Sequence, residues 1–228
     1  TLGGSRFHLG IIEGVADSVS SLLKLGAGAW SDRSGHQKGL VVGGYALAAF
    51  ARPLIGLAAA PWHVFLARTA DRIGKGVRSA PRDALIAEST APEMRGRAFG
   101  FHRAMDHLGA AVGPLIATAF LLVWPEQLRT LFLATLVPGV VVAALLGGLL
   151  RERPQAARAT QPLRLSLRPF GWDFRLYLLS LVVFTLGNSS DAFLLVRASE
   201  LGVATVWLPV LWAAFHVVKS SANLMAGR

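Results

Sequence analysis

Residues 128–150, LRTLFLATLVPGVVVAALLGGLL, hold one charged side chain, Arg129, in a run long enough to cross the hydrocarbon core of a bilayer. A span of this kind needs about 20 mainly apolar residues and forms a helix, because a helix satisfies its backbone amides internally where no water can. Working outward, the same criterion places further segments near 9–30, 39–60, 62–88, 98–123, 174–197 and 204–226, seven in all. The segment at 62–88 is too charged to be read by hydropathy, but its length and short flanking loops leave no other place for the chain to cross. The sequence therefore predicts an all-α fold, a polytopic transmembrane helix bundle.

Composition agrees. Of 228 residues, 53% are apolar and 16% charged, against about a quarter charged in an ordinary soluble domain. The absence of Cys excludes a disulfide scaffold, thiol catalysis and Cys-ligated metal. No cluster has metal-ligand spacing and no Gly-rich loop follows a strand, so neither a metal nor a cofactor is expected. The net charge of +10 could suit nucleic acid, but the Lys and Arg sit mostly between apolar segments, which makes the lipid bilayer the expected partner and nucleic acid none.

Loops after the first, third and fifth segments carry Arg33 and Lys38, then Arg82, Arg95 and Arg97, then Arg151, Arg153, Arg158, Arg164, Arg168 and Arg175; the opposite loops carry Arg6 and Arg129. This asymmetry places the basic loops in the cytoplasm and residue 1 outside, in a multi-pass membrane protein. Residues 151–172, rich in Pro, Ala and Arg, read as a cytoplasmic linker between a bundle at 1–150 and a second beginning at 173–228.

An internal repeat supports two halves. Residues 1–28 and 200–227 align without gaps, matching Leu2 with Leu201, Gly3 with Gly202, Leu9 with Leu208, Val19 with Val218, Ser21 with Ser220, Leu25 with Leu224, Ala27 with Ala226 and Gly28 with Gly227. A charged loop follows the first copy, and the expectation is that this sequence is a piece of a longer chain whose halves are about 200 residues each.

After the first segment comes GAWSDRSGHQK, with Gly28, Asp32, Arg33, Gly35 and Lys38 in a short span. Gly28 permits close helix contact, Asp32 suits the amides at the start of the next helix, and Gly35 suits the turn. In the third segment Arg68 precedes Gly74 and Gly76, and the next loop reads PEMRGRAFG. In the fourth, Gly100, Gly109, Gly113 and Pro114 form a Gly, eight residues, a Gly, three residues and Gly-Pro. These three patterns, in this order, resemble the loop between helices 2 and 3, helix 4 with its following loop, and helix 5 of major facilitator superfamily (MFS) transporters. His36 and Gln37 stand where the family usually has basic residues, and Ala117 replaces a Gly.

The resemblance implies that the seven segments are helices 2 to 8 (TM2–TM6, then TM7–TM8) of a bundle of two halves around a central cavity that opens alternately to each side. It implies a secondary active transporter of a small-molecule substrate. The Gly-Pro pattern, associated with antiporters, implies proton-coupled efflux.

Charges within the segments are cavity candidates, because a charge at the bilayer centre costs at least about 2.5 kcal/mol. Glu13, Asp17, Ser20 and Lys24 share one face of the first segment; Arg68, Asp71, Arg72, Lys75, Arg78, Ser79 and Arg82 form a stripe about 120 degrees wide on the third. Glu13, Asp17 and Arg68 are favoured for proton coupling. Local pairing of Arg68 with Asp71, and of Asp83 with Ser79 or Arg82, is the competing reading. With one acid, Asp71, among five cations, the third segment is expected to line a water-filled cavity. His102 with Asp106, Asp191 with Asn188, and His216, Lys219 and Asn223 are weaker candidates, and Gly109 and Gly113 are expected to serve helix packing. A seven-helix receptor or retinal-type protein shares the topology, with Lys219 in the last span. An enzyme is not expected, since no nucleophile, base and orienting group occur together.

Overall fold

The computed structural model describes residues 5–150, 167–186 and 190–226, and every regular element among them is helical. The chain runs through α1 (Arg6–Ser34), α2 (Gln37–Ala51), α3 (Pro61–Glu88), α4 (Arg95–Val123), α5 (Leu128–Ala134), α6 (Leu136–Leu149), α7 (Trp172–Leu186), α8 (Ala192–Glu200) and α9 (Leu208–Ala226). Ser5 starts α1 by accepting a hydrogen bond from the His8 amide, and Gly35 ends it in the left-handed conformation, φ 66°, with its N–H donated to Ser31 O. That geometry is nearly free only for Gly. Pro53 ends the α-helical part of α2 and opens a 3-10 turn, Pro53–Leu57, which completes an apolar span of Gln37–Leu57.

By length and composition three helices can cross a membrane: Gln37–Leu57, Pro92–Val123 and Leu128–Leu149. The charged α3 is one continuous helix of 28 residues, about 42 Å long and more than the hydrocarbon thickness requires. None of the residues of α5 and α6 is buried, and side chains such as Val137 and Leu149 point outward. Such a surface suits acyl chains as its solvent and not water.

Glycine sets the spacing at the centre, where α3 packs against both α1 and α2. A Cβ on Gly74 would lie 2.5 Å from Gly44 O on α2, and one on Gly76 would lie 2.7 Å from Ser20 O on α1. These backbones approach as closely as small residues allow, the usual device where apolar burial cannot drive helices together. Helix α1 runs parallel to α3, since Glu13 meets Arg68 and, farther along, Gly28 meets Ala80. Helices α4 and α9 are antiparallel. Thr118 Oγ1 donates at 3.4 Å to Val206 O, in the 3-10 turn Thr205–Trp207 that leads into α9, and at the other end of the contact Ser220 Oγ donates to Ala104 O at 2.8 Å. Ser220→Ala should therefore weaken this contact by about 1 kcal/mol, read as a lower thermal midpoint of the full-length protein in detergent; an unchanged midpoint would show that the bond contributes nothing.

Several boundaries differ from those read in the sequence. The stretch 174–197 is two helices, α7 and α8, and not one span. Asp32 and Arg33 belong to the last turn of α1 and not to a loop. Gly109 and Gly113 meet nothing: an added Cβ on either has no atom within 4 Å among the described residues, so the packing role expected of them is not seen. The helical parts of the repeat, 9–27 and 208–226, both lie in helices. Residues 1–4, 151–166, Asn188 and 227–228, with most of the expected linker, fall outside the described residues.

Candidate functional site

The helical repeat brings Glu13 and Asp17, one turn apart on α1, opposite Arg68 and Arg72, one turn apart on α3. Arg68 donates to Glu13 through both arms, Nε to Oε1 at 2.8 Å and a terminal nitrogen to Oε2 at 3.1 Å. This two-pronged geometry is the strong form of the pair. Glu13 is buried, 8% exposed, at a depth where an unpartnered carboxylate would be costly. Arg72 Nε lies 2.9 Å from Asp17 Oδ1 and a terminal nitrogen lies 3.8 Å from Glu13. Its Nε–H makes no hydrogen bond, so the Asp17 contact is one of charge and not of alignment.

Asp71 faces away from this pair. It is almost fully buried and accepts from Arg52 Nε at 2.7 Å, with Arg72 3.7 Å off. The local pairing of Arg68 with Asp71 is thus corrected: Arg68 crosses to Glu13, because α1 offers a carboxylate that both guanidinium arms can reach. The expected shortage of acids along α3 is corrected for the same reason, since α1 supplies Glu13 and Asp17. Arg78 is a structural pin, donating to Gly44 O at 3.2 Å with its guanidinium 4.2 Å over the Tyr45 ring. Lys75 is exposed.

Lower on α3, Arg82 donates to Asp83 at 3.1 Å and lies 3.7 Å from Asp106, which His102 approaches at 4.0 Å. A cavity of about 660 Å³ opens here, lined by Val41, Tyr45, Arg82, Leu85, His102 and Leu146 among others. Farther off, Lys219 donates to Asp191 at 2.8 Å and sits 4.0 Å over the Phe215 ring, while His216 faces His107 across the α4–α9 contact with ring centroids 5.4 Å apart.

At the end of α1, Gly35 takes the turn as expected, but Asp32 does not cap the next helix: α2 begins at His36 with no side-chain cap. Gln37 is buried and donates to Glu88 Oε1 at 3.0 Å, tying the start of α2 to the end of α3. Gln37, Arg52 and Tyr45 are the participants that sequence reading missed; Arg52, alone in the apolar run AFARPL, was the available signal.

A profile of the Major Facilitator Superfamily matches residues 1–228. An uncharacterized MFS-type transporter of Methanocaldococcus jannaschii is 30% identical over 200 residues, covering 88% of this chain and 50% of that protein. An uncharacterized protein of Mycobacterium tuberculosis is 29% identical over 235 residues, covering 100% of this chain and 58% of its own length. The multidrug resistance protein MdtH of Photorhabdus laumondii is 33% identical over 143 residues, 63% of this chain and 34% of MdtH. The chain thus spans about half the length of the curated relatives that it matches most fully. No solved structure matches it.

Proposed function

The chain belongs to the Major Facilitator Superfamily, and from that premise we propose that the protein containing it is a proton-coupled antiporter exporting a small solute across a bacterial-type cytoplasmic membrane. Membership displaces the receptor or retinal-type reading. The observation that carries the proposal is the two-pronged Arg68–Glu13 pair with Arg72 and Asp17 beside it. A carboxylate held by a guanidinium can exchange its proton when the partner swings away, which couples protonation to the α1–α3 contact. Asp106 and Asp191, each beside a cation, are the alternative carriers. Similarity to MdtH over part of the chain and the Gly100, Gly109, Gly113 and Pro114 pattern support efflux over uptake. In this reading residues 1–150 form the first half without its leading helix, 151–172 the cytoplasmic linker and 173–228 the start of the second half; the protein is a carrier and not an enzyme.

Proteoliposomes of the full-length protein with a trapped pH indicator provide the test. Adding a transported solute should move protons opposite to it; solute flux with no pH change would remove the coupling. Gly28, Asp32, Arg33, Gly35 and Lys38 are proposed to hold the cytoplasmic end of α1 in one access state. Asp32→Asn should then slow transport several-fold at near-normal expression, since the side chain is exposed and its loss leaves packing intact. Unchanged rates would reduce Asp32 to a helix-end residue.

A further inference from the structure

We propose that Lys24 of α1 and Lys75 of α3 seat an oxyanion group of the solute, a carboxylate or a phosphate, so that the cargo is an anion. The proposal rests on the transport reading above and names its substrate class.

The argument begins with which charges are already satisfied. Glu13 goes to Arg68, Asp17 to Arg72 and Asp71 to Arg52. Arg78, buried, donates to Gly44 O and lies over the Tyr45 ring, with its Nε–H left without a partner among the described residues, so it is enclosed by protein and out of reach of a solute. The two lysines are left over. Among the described residues neither makes an ion pair, both are exposed, and they flank the close α1–α3 contact in which Gly76, next to Lys75, meets Ser20 and Leu23, next to Lys24. Asp17, the nearby acid on α1, is held by Arg72 at 2.9 Å.

Depth decides what can neutralise them. Lys75 stands at the middle of α3, which runs from Pro61 to Glu88. Either end is therefore about 20 Å away, too far for a lysine stem to reach the interface. A lipid headgroup does not reach that depth either, and an ammonium does not face acyl chains there without penalty. The counter-charge of the two exposed ammonium groups then arrives with the cargo. Ammonium groups are compact donors without the planar fork of Arg, so a carboxylate and a phosphate satisfy them equally.

The test uses counterflow into proteoliposomes of the full-length protein with labelled benzoate, inorganic phosphate and tetraphenylphosphonium as the three probes. Benzoate or phosphate should accumulate, and which one does so separates a carboxylate seat from a phosphate seat. Lys75→Gln should lower that counterflow about tenfold or more, Lys75→Arg should restore most of it, and Lys24→Gln should fall between. Counterflow of tetraphenylphosphonium alone, or anion counterflow unchanged in the Lys24→Gln/Lys75→Gln double variant, overturns the anion site and leaves transport standing. No counterflow of any probe by monodisperse protein overturns the transport reading and this proposal together.

Discussion

Glu13→Gln is expected to abolish accumulation of solute against a gradient in the full-length protein while leaving exchange down a gradient measurable. Gln keeps the size of Glu13 but removes its charge, so Arg68 loses its ionic partner and keeps one acceptor oxygen in place of two. Removing one partner of a buried pair typically costs about 3–5 kcal/mol. Arg68 keeps 32% of its side chain exposed, which places the loss here toward or below the lower end of that range. The double variant Glu13→Gln/Arg68→Gln should recover much of the stability, because no charge is then left stranded, yet it should not recover coupling. Thermal midpoints in detergent and uphill uptake in vesicles separate the two effects. Normal uphill transport by Glu13→Gln would move the proton site to Asp17, Asp106 or Asp191.

The helices were legible because apolar runs of the right length have few alternatives in a chain with this composition. Helix α3 was legible only through its length, its charges having hidden it from hydropathy. The division of 174–197 was missed because LGNSSDAF, whose Gly, Asn and two Ser favour a turn, was outweighed by the apolar residues on both sides. Helical periodicity placed the site residues on the correct faces, but it ranks neighbours along one helix and carries no information about which helix lies opposite. Periodicity alone leaves Arg68 open between Asp71, three residues away, and the carboxylates of α1; the parallel approach of α1 makes Glu13 its partner. Arg52 was overlooked because an Arg closing an apolar span is normally an interfacial anchor; here its guanidinium turns back to the buried Asp71.

Gly74→Ala should strongly destabilise the bundle by a single methyl group. The new Cβ would fall 2.5 Å from Gly44 O and 3.2 Å from the Ala48 backbone nitrogen, and neither atom belongs to a side chain that can rotate away. Helices α2 and α3 would have to separate, at about 1–3 kcal/mol for the overpacking, with further loss as Arg78 draws off Gly44 O and the Tyr45 ring. Gly109→Ala is the matched control, since its Cβ enters open space among the described residues. Yield of monodisperse protein and thermal midpoint are the readouts. A Gly74→Ala protein as stable as the Gly109→Ala protein would contradict the close α2–α3 contact.

The hydroxyl bonds that join α4 to α9 end on main-chain carbonyls, not on side chains. A main-chain carbonyl does not depend on the side chain of the residue that carries it, so substitutions at Ala104 or Val206 leave both acceptors in place. The register of the contact is set by what surrounds these bonds, the buried Ala104, Ala111 and Ala213 and the facing His107 and His216 rings, so that α4 and α9 are held together as one unit.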